Sequence, residues 1–242
     1  MLRFFNANKK NSIHQLNLIL SSRKLKQKTK SALVKNILFN VKKNGDRAVF
    51  NYEKKFSNVK ISSKKIQFSQ KEINKIIKNL NKELKKSIDL AFTRIKKFHL
   101  KQKFLSFKFK DKYNNELSYK YSAIDRVGVY VPGGTASYPS TVLMNCIPAL
   151  VAGVKNIYLT TPTLGLPVNP AIIYAAKKCG VKEIYKTGGA HSIAAFTYGT
   201  KTFKKVDKIV GPGNAYVASA KKEVFGEVGI DMIAGPSEVS II

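Results

Sequence analysis

Apolar residues set three and four apart mark the first half of the chain as helical. Leu33, Val34, Ile37, Leu38 and Val41 form one stripe within Lys28 to Val41, and Gly45 supplies a C-cap where it ends. Ser69 followed by Glu72 has the spacing of a capping box, in which hydroxyl and carboxylate each satisfy a backbone N–H. From there Ile73, Ile76, Ile77, Leu80, Leu84, Ile88, Ala91, Ile95 and Phe98 continue one stripe, predicting a single amphipathic helix of about seven turns with lysines on its outer face. Ser106 to Lys110 and Leu117 to Ser122 predict two strands around the turn signal Tyr113-Asn114-Asn115.

After Asp125 the period changes to short apolar runs alternating with helical ones. Strands are predicted at Val127 to Val131, Ile157 to Thr161, Glu183 to Lys186, Lys208 to Val210 and Asp231 to Ala234, and helices at Ser140 to Ala152, Pro170 to Cys179, Ser192 to Tyr198 and Ala215 to Phe225. This alternation predicts an α/β fold, a Rossmann-like parallel sheet with crossover helices, preceded by a helical and short-strand region.

Composition sharpens the division. The chain has 242 residues, 44% hydrophobic and 24% charged, enough for one large or two modest cores and unlike a disordered tail or a disulfide-stapled miniprotein. Its net charge of +30 is concentrated up to residue 120, where 32 basic residues meet 7 acidic ones, against 12 and 7 afterwards. Only Gly45 precedes residue 121, whereas the other 14 glycines and all 8 prolines follow it. Of the 44 basic residues just 5 are arginines, so the planar fork that reads bases and phosphates is scarce. Lysines spread over solvated helix faces account for the charge better than nucleic-acid recognition does. The competing reading is a non-catalytic binding module whose basic first half meets nucleic acid or an acidic partner.

Cys146 and Cys179 both fall in apolar helical runs, so neither a disulfide framework nor a zinc knuckle can be drawn. The N-terminus has no signal-peptide core, and the longest apolar stretch, Val142 to Val154, is too short for a membrane span and contains Asn145 and Pro148. A soluble, cytoplasmic protein is expected.

The functional signal follows the strands. Pro132-Gly133-Gly134, Gly188-Gly189-Ala190, Gly211-Pro212-Gly213-Asn214 and Gly235-Pro236-Ser237 come after the first, third, fourth and fifth. Glycine there lets backbone N–H groups and helix N-termini approach an anion at the carboxyl edge of a sheet. The standard dinucleotide fingerprint is absent, as are a P-loop, an H-E-x-x-H pair and a nucleophile elbow. His191 is the one histidine beside a glycine turn, placed for ligand contact, and as a general base it would need an orienting partner that spacing does not identify. His14 and His99 stand alone beside apolar residues and are not expected to be ligands.

DRVGVYVPGG from Asp125, with YPSTVLMN from Tyr138, GGAHSIAAFTYGT from Gly188, VDKIVGPGNAYVASAK from Val206 and IDMIAGPSEV from Ile230, closely resembles the histidinol dehydrogenases in both order and spacing. The resemblance is strong from about residue 120 onward. It implies NAD-dependent oxidation of L-histidinol to L-histidine in two steps, completing histidine biosynthesis, with Tyr130 and Asn214 contacting NAD and Ser237 contacting the substrate. His191 stands where the family usually has Gln, and is carried as a cofactor-binding residue. The family's zinc ligands and catalytic Glu-His pair lie downstream of the GPSEV motif, so no metal or catalytic residue is assigned within this chain. Resemblance thus implies the amino-terminal part of a homodimeric enzyme, inactive alone. The implied division is an N-terminal helical arm at 1–25, the first part of an incomplete catalytic α/β domain at 26–125, a Rossmann-like NAD-binding domain at 126–237, and the start of a return to the first domain at 238–242.

Overall fold

In the computed structural model, residues 6, 8, 11–133 and 138–233 are described. The first helix, α1 (Ser12–Asn44), is longer than its apolar stripe and runs unbroken through residues 25 and 26. Gly45 ends it with φ 53°, its N–H bonded to the Val41 carbonyl at 2.8 Å. A helix that spacing did not reveal, α2 (Asp46–Ser57), starts at once and buries Ala48, Val49 and Glu53.

The helix expected to run from Ser69 through Phe98 is two helices, α3 (Gln70–Lys78) and α4 (Lys82–Leu100). Ser69 and Glu72 form the expected capping box at 3.2 and 2.7 Å. The break comes at Asn79, whose N–H closes a tight turn on Ile76. Asn81 then opens α4, its side chain accepting the Glu83 N–H at 2.7 Å. The apolar stripe crosses this break because both helices pack on one layer, so the period alone hides the boundary. A hairpin of β1 (Phe107–Lys110) and β2 (Glu116–Tyr119) follows, its turn held by Asp111 accepting the N–H groups of Tyr113 and Asn115.

The second half is a parallel sheet of β3 (Arg126–Tyr130), β4 (Asn156–Thr160), β5 (Glu183–Tyr185), β6 (Lys208–Val210) and β7 (Gly229–Ile230), ordered β5-β4-β3-β6-β7. The connecting helices are α5 (Pro139–Ala152), α6 (Pro170–Lys178), α7 (Gly189–Tyr198) and α8 (Ala215–Val224). The last strand was expected at Asp231 to Ala234. It lies earlier, because Asp231 is drawn into side-chain bonding after the strand; Ala234 is outside the described residues.

Side chains alternate across the sheet. Val129, Leu159 and Ile184 join α3, α4, α5 and α6 on one face, while Tyr130, Tyr158 and Tyr185 join α1, α2, α7 and α8 on the other. The first-half helices therefore add cover to both faces of the second-half sheet. Between β3 and α7 the approach is close, since a methyl group at Gly128 would come within 2.8 Å of the fully buried Phe196 ring. Among the described residues, no helix is long and apolar enough to cross a membrane.

Gly128→Ala should force that ring aside and destabilise the protein by about 1–3 kcal/mol, read as a lowered midpoint of chemical denaturation.

Candidate functional site

Strands β3 and β6 are neighbours, yet the helix after β3 crosses to one face and the helix after β6 to the other. Such a switch point leaves a crevice at the carboxyl ends of the strands. A cleft of about 430 Å³ opens there, lined by Tyr130, Gly133, Pro162, Gly189, His191 and Asn214 among others. Three of the four residues singled out from sequence thus share one cavity. Ser237, with its turn Gly235-Pro236-Ser237, lies outside the described residues.

Each of the three is set by local structure. Tyr130 ends β3, and its hydroxyl accepts the Gly189 N–H at 3.2 Å, tying the strand to the start of α7. Burial raises the phenol above its ordinary pKa and the nearby Glu53 charge adds to this, while the Gly189 N–H opposes it. Asn214, which lines the cleft, caps α8, its Oδ1 accepting the N–H groups of Tyr216 and Val217 at 3.0 and 3.1 Å.

His191 lies in the first turn of α7, which begins at Gly189, three residues before the expected start. It is 2% exposed and its Nε2 is 2.8 Å from Glu53 Oε2. Thr187 donates its hydroxyl to the same oxygen at 2.6 Å. Burial pushes the Glu53 carboxyl up, but the His191 hydrogen bond and charge, with the Thr187 hydroxyl, outweigh it and hold the group below its ordinary range. The orienting partner that spacing could not identify is therefore Glu53, from α2. A signal for it did exist: Glu53 follows Val49 by four residues, on the buried face of a helix.

The family model for histidinol dehydrogenase matches residues 20–242. The chain belongs to the histidinol dehydrogenase family. It is 53% identical to the histidinol dehydrogenase of Pelagibacter ubique, over 100% of this chain and 56% of that protein. The Bacillus subtilis histidinol dehydrogenase is 49% identical, over 86% of this chain and 49% of its own length. A crystal structure of histidinol dehydrogenase from Elizabethkingia anophelis superposes with a TM-score of 0.81 at 41% identity, covering 85% of this chain and 48% of that one. The chain spans about half the length of these relatives.

The turn after β6 is held by Lys221 and Asp231, neither of which spacing singled out for the site. Gly211 has φ 108°, and a Cβ there would lie 2.1 Å from the Tyr130 carbonyl oxygen, so only glycine fits beside β3. Asp231 accepts the Gly211 N–H at 2.7 Å, and buried Lys221 donates both to the Gly211 carbonyl at 3.0 Å and to Asp231. This clamp fixes the loop that carries Asn214. Among the described residues no group of three or more His, Cys, Asp or Glu side chains could hold a metal ion.

A depressed carboxyl contributes stability above its unfolded titration and loses it as pH falls through the folded value. Glu53→Gln should therefore cost about 1–3 kcal/mol near neutral pH, and urea midpoints of variant and parent should converge in acid.

Proposed function

We propose that the cleft at the β3–β6 switch point is a nicotinamide-dinucleotide site and that the chain carries the nucleotide half of a histidinol dehydrogenase. The observation supporting this reading is the convergence of Tyr130, His191 and Asn214, from three separate strand ends, on one cavity. The residues suit the group: a glycine loop pressed against β3, an amide at a helix start, and a buried ring nitrogen, His191 Nδ1, with no protein partner. Helix N-termini and turned-in N–H groups favour a pyrophosphate.

NAD, when bound, supplies the hydride acceptor for two successive oxidations of L-histidinol to L-histidine. This chain's own contribution is to bind and orient. Asn214 brings an amide to the cleft, Tyr130 holds the start of α7 in place, and His191 lines the same cavity. Ser237 is the proposed substrate contact. Zinc, which the family resemblance implies, finds no donor set among the described residues, and no step is assigned to it here. The same reading takes the enzyme to be a cytoplasmic homodimer acting in histidine biosynthesis.

Asn214→Asp keeps a good helix cap but replaces the amide donor with a carboxylate. NAD affinity, measured by calorimetry on the 242-residue polypeptide, should fall about ten-fold or more, which is about 1.4 kcal/mol, with thermal stability unchanged. Unaltered affinity would remove Asn214 from the site. The same polypeptide should bind NAD without forming NADH from histidinol, and histidinol-dependent absorbance of NADH would overturn that expectation.

A further inference from the structure

The cleft at the β3–β6 switch point has an apolar wall as well as its glycine turns. Leu33 of α1, Phe56 of α2, Leu164 from the turn after β4 and Tyr216 from the first turn of α8 all line it, and each is between 40% and 48% exposed. Large apolar and aromatic side chains drawn from four distant segments and left half open in one cavity mark a surface kept for a ligand. Leu164 is held there at φ 50°, a left-handed conformation that leucine rarely adopts, in a turn closed by the Leu166 N–H on the Thr163 carbonyl at 2.8 Å.

Phe56 is the flat part of this wall. Its ring is parallel to that of Tyr52, one turn earlier on α2, with 3° between the planes and 5.6 Å between centroids, and it lies 6.0 Å from the His191 ring. Stacking fixes the plane of a ring that is still half exposed. Among the described residues the lining has no Asp, Glu, Lys or Arg, so nothing in it compensates a charged ligand group. The Lys55 ammonium lies 5.8 Å from the Phe56 centroid. A flat, neutral ring suits such a wall, whereas a cationic one would compete with Lys55 for the same π-system and meet its charge at short range.

Of the two ring systems in NAD, adenine is neutral and the oxidised nicotinamide is a cation. The strand order agrees with the first as occupant. Pro162 and Leu164 follow β4, whereas the turn carrying the proposed substrate contact Ser237 follows β7, three strand spacings or about 14 Å away. The nicotinamide has to meet the substrate, so the ring left for the β4 end of the cleft is adenine.

We propose that this wall is the adenine subsite of the cleft, with the base packed on Phe56, Leu33, Leu164 and Tyr216, and that Phe56 is its main determinant. The inference rests on the cofactor reading above and names the part of the ligand that the first-half helices bind. Helices α1 and α2 then do more than cover the sheet, since each contributes a side chain to the nucleotide cleft.

The test is calorimetry and NMR on the 242-residue parent, Phe56→Leu and Phe56→Ala, with NAD, AMP and nicotinamide mononucleotide as probes. In the parent, nuclear Overhauser contacts should join the Phe56 ring to the adenine ring protons of bound NAD. Phe56→Leu keeps an apolar side chain on α2 and loses only the ring, so affinity for NAD and AMP should fall about five-fold or more while that for the mononucleotide stays within about two-fold. Phe56→Ala should lose more, up to about 100-fold for NAD and AMP. If Phe56→Ala does not fold, Phe56→Leu and the contacts in the parent decide. Contacts from Phe56 to nicotinamide protons, equal losses for AMP and the mononucleotide, or a folded Phe56→Leu that binds NAD and AMP as the parent does each overturn the inference and leave the cofactor reading standing. No NAD binding by the parent defeats both.

Discussion

The structure depends on one constraint: a parallel sheet whose strands are apolar on both sides must be covered on both sides. Strands β3, β4 and β5 send valine, isoleucine and leucine one way and tyrosine the other. The crossover helices of the second half supply part of each covering layer. Helices α1 and α2 complete the layer over the tyrosine face, and α3 and α4 complete the opposite one. The lysine-rich first half is thus the outer wall of the glycine-rich second half, and the change in composition near Asp125 marks a change of role within one packed body.

Function follows from where that wall lies. Packing α2 against α7 carries Glu53 to His191, while the switch point between β3 and β6 opens the cleft that His191 helps to line. The clamp of Lys221, Asp231 and Gly211 is the counterpart on the other side of the crevice, a buried cation whose bonds all serve to hold one loop. Both arrangements place a charged group where water is excluded, so both need a full set of partners to be tolerated. In the Glu53–His191 pair that set is incomplete, because Glu53 Oε1 and His191 Nδ1 are both buried without a hydrogen-bond partner.

With 44 basic and 14 acidic residues, carboxylates are scarce, and many of them join the two halves. Lys35 pairs with Glu223, Lys42 with Glu227, Lys178 with Asp89 and Lys186 with Glu72, and Asp46 accepts the hydroxyl of Thr202. The exposed pairs each contribute less than about 1 kcal/mol, so they tune register more than they hold the fold. The buried Glu53 pair differs in kind because solvent cannot replace either partner.

The sequence by itself determined the parallel βαβ pattern, most strand positions, and the gathering of Tyr130, His191 and Asn214 at one sheet edge, because period and glycine turns are local properties and strand polarity then places every turn. It determined the capping box at Ser69 for the same reason. Tertiary structure decided the break at Asn79, since a stripe shared by two helices on one layer has no visible seam. It also decided the partners that make the site chemical. Glu53 and His191 are 138 residues apart, and no local spacing records which buried acid will meet which ring. Only the stacking of one layer on another brings such groups together, and burial then makes their charges matter.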